Sequence, residues 1–189
     1  MLHMRVLSAS VLLGLVLSAG SAYAQRRTKA PERPAGPPPI QVQVVGVEVT
    51  PAGPVVLLKT VEGDTFVPIW VGEAEAFAIQ LRLLKQAPPR PLTHDLLDNV
   101  IHALGAHVTR VVVADLRDGV FIGRIDLRAG RQDHHLDARS SDSIALALGT
   151  GVPIFVASHV LEEAGFTMAE LQSGAWQGTP IPVERRHSL

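Results

Sequence analysis

The chain has 189 residues, with 17 Lys and Arg against 18 Asp and Glu, eight His and no cysteine; this length accommodates one ordinary domain and excludes two large ones. At 47% hydrophobic but only 4% aromatic, it must build a mostly aliphatic core, and disorder throughout is excluded. Near-balanced charge excludes a general attraction to polyanions, and the lack of cysteine excludes disulfides, thiolate zinc sites, cysteine nucleophiles and a lipid-modified N-terminal Cys.

Residues 1–24 read as a cleaved secretory signal: Arg5 precedes an apolar run over 6–20, and Ala22-Tyr23-Ala24 places small residues before Gln25. The apolar run spans about 22 Å as a helix, short of a hydrocarbon core of about 30 Å, so a transmembrane anchor is not expected after cleavage. The mature chain loses Arg5 and carries 16 basic and 18 acidic residues, a net charge of −2. An exported, periplasmic or secreted protein is expected. Residues 25–39 hold Arg26, Arg27, Lys29, Arg33 and five prolines without apolar periodicity, the composition of a linker.

The folded domain is expected over 40–166. Residues 41–49 and 55–61 are valine-rich strands about a Pro/Gly turn, and 66–71 a third strand whose Pro68 requires an edge or a bulge. From Glu73 the period changes to 3.6, with Ala74, Phe77, Ala78, Leu81 and Leu84 on one face, until Pro88-Pro89. A second helix is expected with Thr93 as N-cap, Asp95 in its first turn, an apolar stripe of Leu97, Val100, Ile101 and Leu104, and Gly105 as its stop. Strands follow at 108–114 and 120–128, joined by Arg117-Asp118-Gly119, with Phe121, Gly123, Ile125 and Leu127 facing one way. Another strand at 133–138 leads to a helix capped by Ser140-Ser141-Asp142 and running through Leu148, with Gly149 and Gly151 ending it. A buried strand at 152–156, a helix at 160–164, a short helix opened by the Thr167 to Glu170 capping-box spacing and a loose tail complete the chain over 167–189. Strands in two groups of three with helices between them predict an α+β fold, a mixed or antiparallel sheet with helices on one face.

No Walker loop, dinucleotide fingerprint, zincin helix or nucleophile elbow occurs. Three polar clusters lie at element ends: Arg90 to Asp95, Asp115 to Asp118 and Asp137 to Asp142. Taken singly, they also suit helix-start charges, turn residues, caps and ion pairs. Together they contain what phosphodiester hydrolysis needs: acidic oxygens for a divalent ion such as Mg2+ or Mn2+, a base, and cations to neutralise charge on phosphorus. His134-His135, adjacent on a strand, point to opposite faces and do not suit one ion.

Phe66-Val67-Pro68-Ile69-Trp70-Val71-Gly72-Glu73-Ala74-Glu75-Ala76, Arg90-Pro91-Leu92-Thr93-His94-Asp95-Leu96-Leu97 and Asp137-Ala138-Arg139-Ser140-Ser141-Asp142-Ser143-Ile144-Ala145-Leu146-Ala147, in this order and spacing, resemble the bifunctional nuclease domain family. The resemblance extends from Val42 to Gly165 and includes Leu104-Gly105-Ala106 and the run from Val111 to Gly119. It departs from the family at Ser140, where proline is usual, and at Ser143, where alanine is usual, so the loop before the helix is expected to be less rigid. The resemblance implies a compact, self-associating α+β domain, with DNase and RNase activity attributed to some plant members. It carries the family's polar positions to Glu75, Arg90, Thr93, His94, Asp95, Asp115, Arg139, Ser141 and Asp142. In a hydrolytic reading Glu75, His94, Asp95 and Asp142 are the catalytic candidates, Asp95 and Asp142 the metal ligands, and Arg90, Thr93, Arg139 and Ser141 the substrate-binding residues. The alternative is a non-catalytic oligomeric envelope module that binds a small anion or a protein partner through the same clusters.

Overall fold

The computed structural model describes residues 36–173. The expected secretory signal, most of the Pro-rich segment and the tail beyond Ser173 lie outside the described residues. Eight strands form one sheet in the order β6-β5-β4-β7-β1-β2-β3-β8. Strands β1 (Ile40–Thr50), β2 (Gly53–Thr60) and β3 (Thr65–Trp70) form one antiparallel meander; β4 (Ala106–Arg117), β5 (Val120–Ala129) and β6 (Gln132–Arg139) form the other. The three-residue β7 (Ile154–Val156) joins them, parallel to β4 and antiparallel to β1, which makes the sheet mixed. The predicted α+β class holds.

Turn chemistry sets the hairpins. Asp118 and Gly119 both have positive φ, at 51° and 75°, the two-residue turn whose twist matches its flanking strands. Strand β8 (Phe166–Thr167), which the sequence did not suggest, pairs with β3 only at Thr65 and Phe66, so Pro68 stands opposite Leu57 of β2 on one side and meets no strand on the other.

Helices α1 (Glu73–Leu83), α2 (Thr93–Ala103) and α3 (Ser140–Thr150) pack on one another and on the sheet; α4 (Ser158–Ala164) and α5 (Met168–Ser173) follow β7 and β8. Val56, Leu58, Val67, Ile69, Val111, Val113 and Val156 are fully enclosed beneath them, with Ile79 of α1 and Ile144 of α3. Helix α3 reaches past Leu148 and stops at Gly151, which takes the left-handed conformation (φ 75°); Gly149 lies inside the helix, against Arg82. The Thr167 to Glu170 capping box forms, with Thr167 N–H donating to Glu170 Oε2 at 2.7 Å and Glu170 N–H donating to Thr167 Oγ1 at 3.2 Å.

Three local expectations are corrected. Leu92, not Thr93, is the N-cap of α2, because Asp95 reaches back to accept the Leu92 N–H at 2.7 Å. The α2 stripe is not the buried face: of its members only Ile101 is buried, while Val100 is 45% and Leu104 78% exposed. The inward positions of α2 are His94 and Ile101, two turns apart, so the helix turns a polar residue toward the core and an apolar ridge outward. On α1 the enclosed residues are Ala76, Ala78 and Ile79, while Phe77 and Leu84 are exposed.

Candidate active site at the helix starts

The corner between β6 and α3 is the foundation of the site. Arg139 ends β6 and is the N-cap of α3. It sits against Gly123 of β5, where an added Cβ would lie 2.8 Å from the Arg139 carbonyl oxygen and closer still to Ser143 Oγ. The Ser143 hydroxyl donates to that carbonyl at 3.1 Å. Glycine on β5 therefore lets the corner close, and the backbone of Arg139 is fixed before its side chain reaches out.

That side chain joins three elements. Its Nε donates to Asp142 Oδ2 at 2.7 Å, and its Nη2 donates to Asp142 Oδ1 at 2.9 Å and to Glu75 Oε1 at 2.6 Å. His94 Nε2 lies 3.1 Å from Asp142 Oδ1. A carboxylate can only accept there, so Nε2 carries the proton, and in the neutral ring Nδ1 is the basic nitrogen. Glu75, His94, Arg139 and Asp142, drawn from the first turns of α1, α2 and α3, thus form one quartet. His94 is buried and Arg139 is 65% exposed, so the quartet grades from an enclosed imidazole to an open guanidinium. The His94 bond, together with Arg139, holds the Asp142 carboxyl down at about 2 against the cost of its burial. Asp142 and Glu75 in turn raise the Arg139 pKa.

The other candidates lie elsewhere. Asp95 accepts from Arg82 Nη2 at 2.5 Å and from the Leu92 N–H, so α2 aims its two consecutive polar residues at different partners, His94 at α3 and Asp95 at α1. Arg90 and Thr93 are exposed, and Arg90 has no polar partner among the described residues. Ser141 is buried in the first turn of α3. Asp115 is buried on β4, bonded by Arg117 Nε at 2.6 Å and by His159 Nε2 of α4 at 3.1 Å. Burial pushes Asp115 up, but these bonds outweigh it and leave it below the ordinary carboxylate range.

Sequence reasoning missed Arg82 and His159, which nothing in their neighbourhood marks out. It also missed a third cluster, in which buried Asp126 accepts from Arg110 Nε (2.6 Å), Arg124 Nε (2.8 Å) and His135 Nδ1 (2.7 Å). Arg110, Asp126 and His135 are register partners across β4, β5 and β6, so they share the sheet face opposite Gly123 and α3. His134 pairs with Leu127 and His135 with Asp126, so the two imidazoles do point apart.

A divalent ion does not fit the donor set as it stands. Both Asp142 oxygens and Glu75 Oε1 accept from Arg139, both Asp95 oxygens are engaged elsewhere, and among the described residues no three His, Asp or Glu side chains are arranged to hold a metal.

An α+β domain with a mixed sheet and an acid, imidazole and guanidinium quartet at its helix starts is the class that fold and site define. The chain belongs to the bifunctional nuclease domain family, whose model matches residues 56–169. It is similar to two uncharacterized proteins of Mycobacterium tuberculosis, from strains CDC 1551 and H37Rv, each 44% identical over 132 residues that cover 69% of this chain and 79% of the relative.

Proposed function

We propose that the chain hydrolyses phosphodiester bonds of DNA and RNA at the quartet. The observation that carries this reading is the convergence of His94, Asp142, Arg139 and Glu75 from three separate helix starts. Asp142 fixes the His94 tautomer and orientation, which leaves Nδ1 to take a proton from an attacking water and return it to the leaving oxygen. Arg139 spends Nε and Nη2 on the carboxylates, so its orientation is set, and Nη1 has no partner among the described residues. A phosphate oxygen can accept from that free end without dismantling the quartet. The family match supports the reaction class.

The test is purified mature protein on labelled single- and double-stranded DNA and RNA, with Mg2+, with Mn2+ and with EDTA, beside His94→Ala and Asp142→Asn. Cleavage reduced about 100-fold or more in each variant is expected; intact substrates under every condition, or full activity in the variants, overturns the proposal. Export belongs to the same reading, and an N-terminus at Gln25 in protein recovered from the envelope or medium would support it.

The second reading, an oligomeric module that binds a small anion or a protein, is favoured by one observation. Leu96, Leu97, Val100 and Leu104 leave an apolar ridge exposed on α2, the helix that carries His94. In this reading Arg139, Glu75 and Asp142 chiefly tie α1 to α3, and a second copy of the chain covers the ridge.

A further inference from the structure

We propose that Arg139 is the resident counter-cation of the Glu75–Asp142 carboxylate pair, held at the place a divalent ion would otherwise take. Its Nη2 lies between the two acids, 2.6 Å from Glu75 Oε1 and 2.9 Å from Asp142 Oδ1, and the same Asp142 oxygen faces His94 Nε2 at 3.1 Å. These are hydrogen-bond spacings. A divalent metal ion draws carboxylate oxygens to about 2.0–2.2 Å, so an ion could close on these oxygens only after the guanidinium had left them.

Electrostatics points the same way. With Arg139 in place the two carboxylates and the guanidinium carry a net charge of −1; without it the carboxylates carry −2 and present hard oxygen donors of the kind Mn2+ takes. Arg139 is anchored by the β6–α3 corner, so it competes as a tethered cation at an effective concentration on the order of millimolar or above. A free ion must displace two guanidinium nitrogens before it can close on the carboxylates. The inference concerns the site assigned above but does not depend on turnover.

Its test therefore contains no nucleic acid. Mn2+ binding to the full mature chain is followed by electron paramagnetic resonance for wild type, Arg139→Ala, Arg139→Gln and Arg139→Lys. Arg139→Gln keeps an N–H donor for the carboxylates and serves if the alanine variant does not fold. Removing the charge is expected to tighten Mn2+ binding about tenfold or more relative to wild type. Arg139→Lys, which restores a cation, is expected to bind as weakly as wild type, and Arg139→Gln combined with Asp142→Asn to lose the gain. Wild type binding Mn2+ as tightly as Arg139→Gln overturns the proposal, as does a glutamine variant that gains nothing. Failure of the nuclease reading would appear separately, as absent cleavage.

Discussion

Replacing Asp142 with Asn tests whether the quartet is an electrostatic unit. The carboxylate accepts two bonds from Arg139 and one from His94, and its pKa falls from 3.8 to about 2 on folding. The sign follows from the direction of the shift: a depressed carboxyl stabilises the fold fully above its unfolded pKa and loses that contribution as pH falls toward its folded pKa. A depression of that size sets an upper bound of about 2.5 kcal/mol at neutral pH. Arg139 is mostly exposed, so solvent screening reduces this to about 1–2 kcal/mol. Urea unfolding of wild type and Asp142→Asn at pH 7 and pH 3 should show a gap of that size at pH 7 and about half of it at pH 3, because the wild-type advantage drains between about pH 4 and pH 2. A gap that is equal at both pH values would refute the reasoning: the loss would then come from packing or from neutral hydrogen bonds, not from the charge of Asp142.

Gly123→Ala should cost about 1–3 kcal/mol in urea unfolding, since its methyl would meet Ser143 Oγ and the Arg139 carbonyl; pairing it with Ser143→Ala should recover part of the loss. Asp126→Asn should destabilise by about 2–4 kcal/mol at neutral pH, because it leaves Arg110 and Arg124 beside a neutral buried amide; thermal unfolding at pH 7 reads this directly. Leu97→Glu with Leu104→Glu should leave the monomer fold intact while lowering the mass found by light scattering, if α2 forms the interface between copies.

Most of the architecture was legible because alternation, helical period and turn residues act locally. Both meanders, the turn at Asp118-Gly119 and the helices at 73–83, 93–103 and 140–150 follow from neighbours within a few residues. The two-residue β8 was not legible, since its strand character comes only from pairing with Thr65 and Phe66. The inward face of α2 was misread for a related reason: apolar spacing identifies a stripe but not what it meets, and here the core side takes His94 because Asp142 waits there. Within the site, residue types and segments were legible, but convergence was not. Glu75 and Arg139 are 64 residues apart and Asp142 and His94 are 48 apart, so only the tertiary fold selects these pairs. The same fold separates Asp95 from Asp142 by giving it Arg82.

The three acids at the helix starts show how the fold distinguishes a structural carboxylate from a candidate functional one. Glu75, Asp95 and Asp142 each occupy the third position of a helix, where a negative charge is favoured by the dipole and can accept an N-cap N–H. Asp95 does accept that N–H, from Leu92, and its remaining oxygen ties α2 to α1 through Arg82. Glu75 and Asp142 make no such cap bond: both reach Arg139, although Glu75 keeps its second oxygen, Oε2, against Gly72, the N-cap of α1. Forgoing a local cap bond, which contributes about 1 kcal/mol, in favour of a mostly exposed guanidinium is a poor exchange on stability grounds alone. The arrangement makes better sense if an oriented, partly open Arg139 beside an Asp-held imidazole is what the helix starts are placed to present.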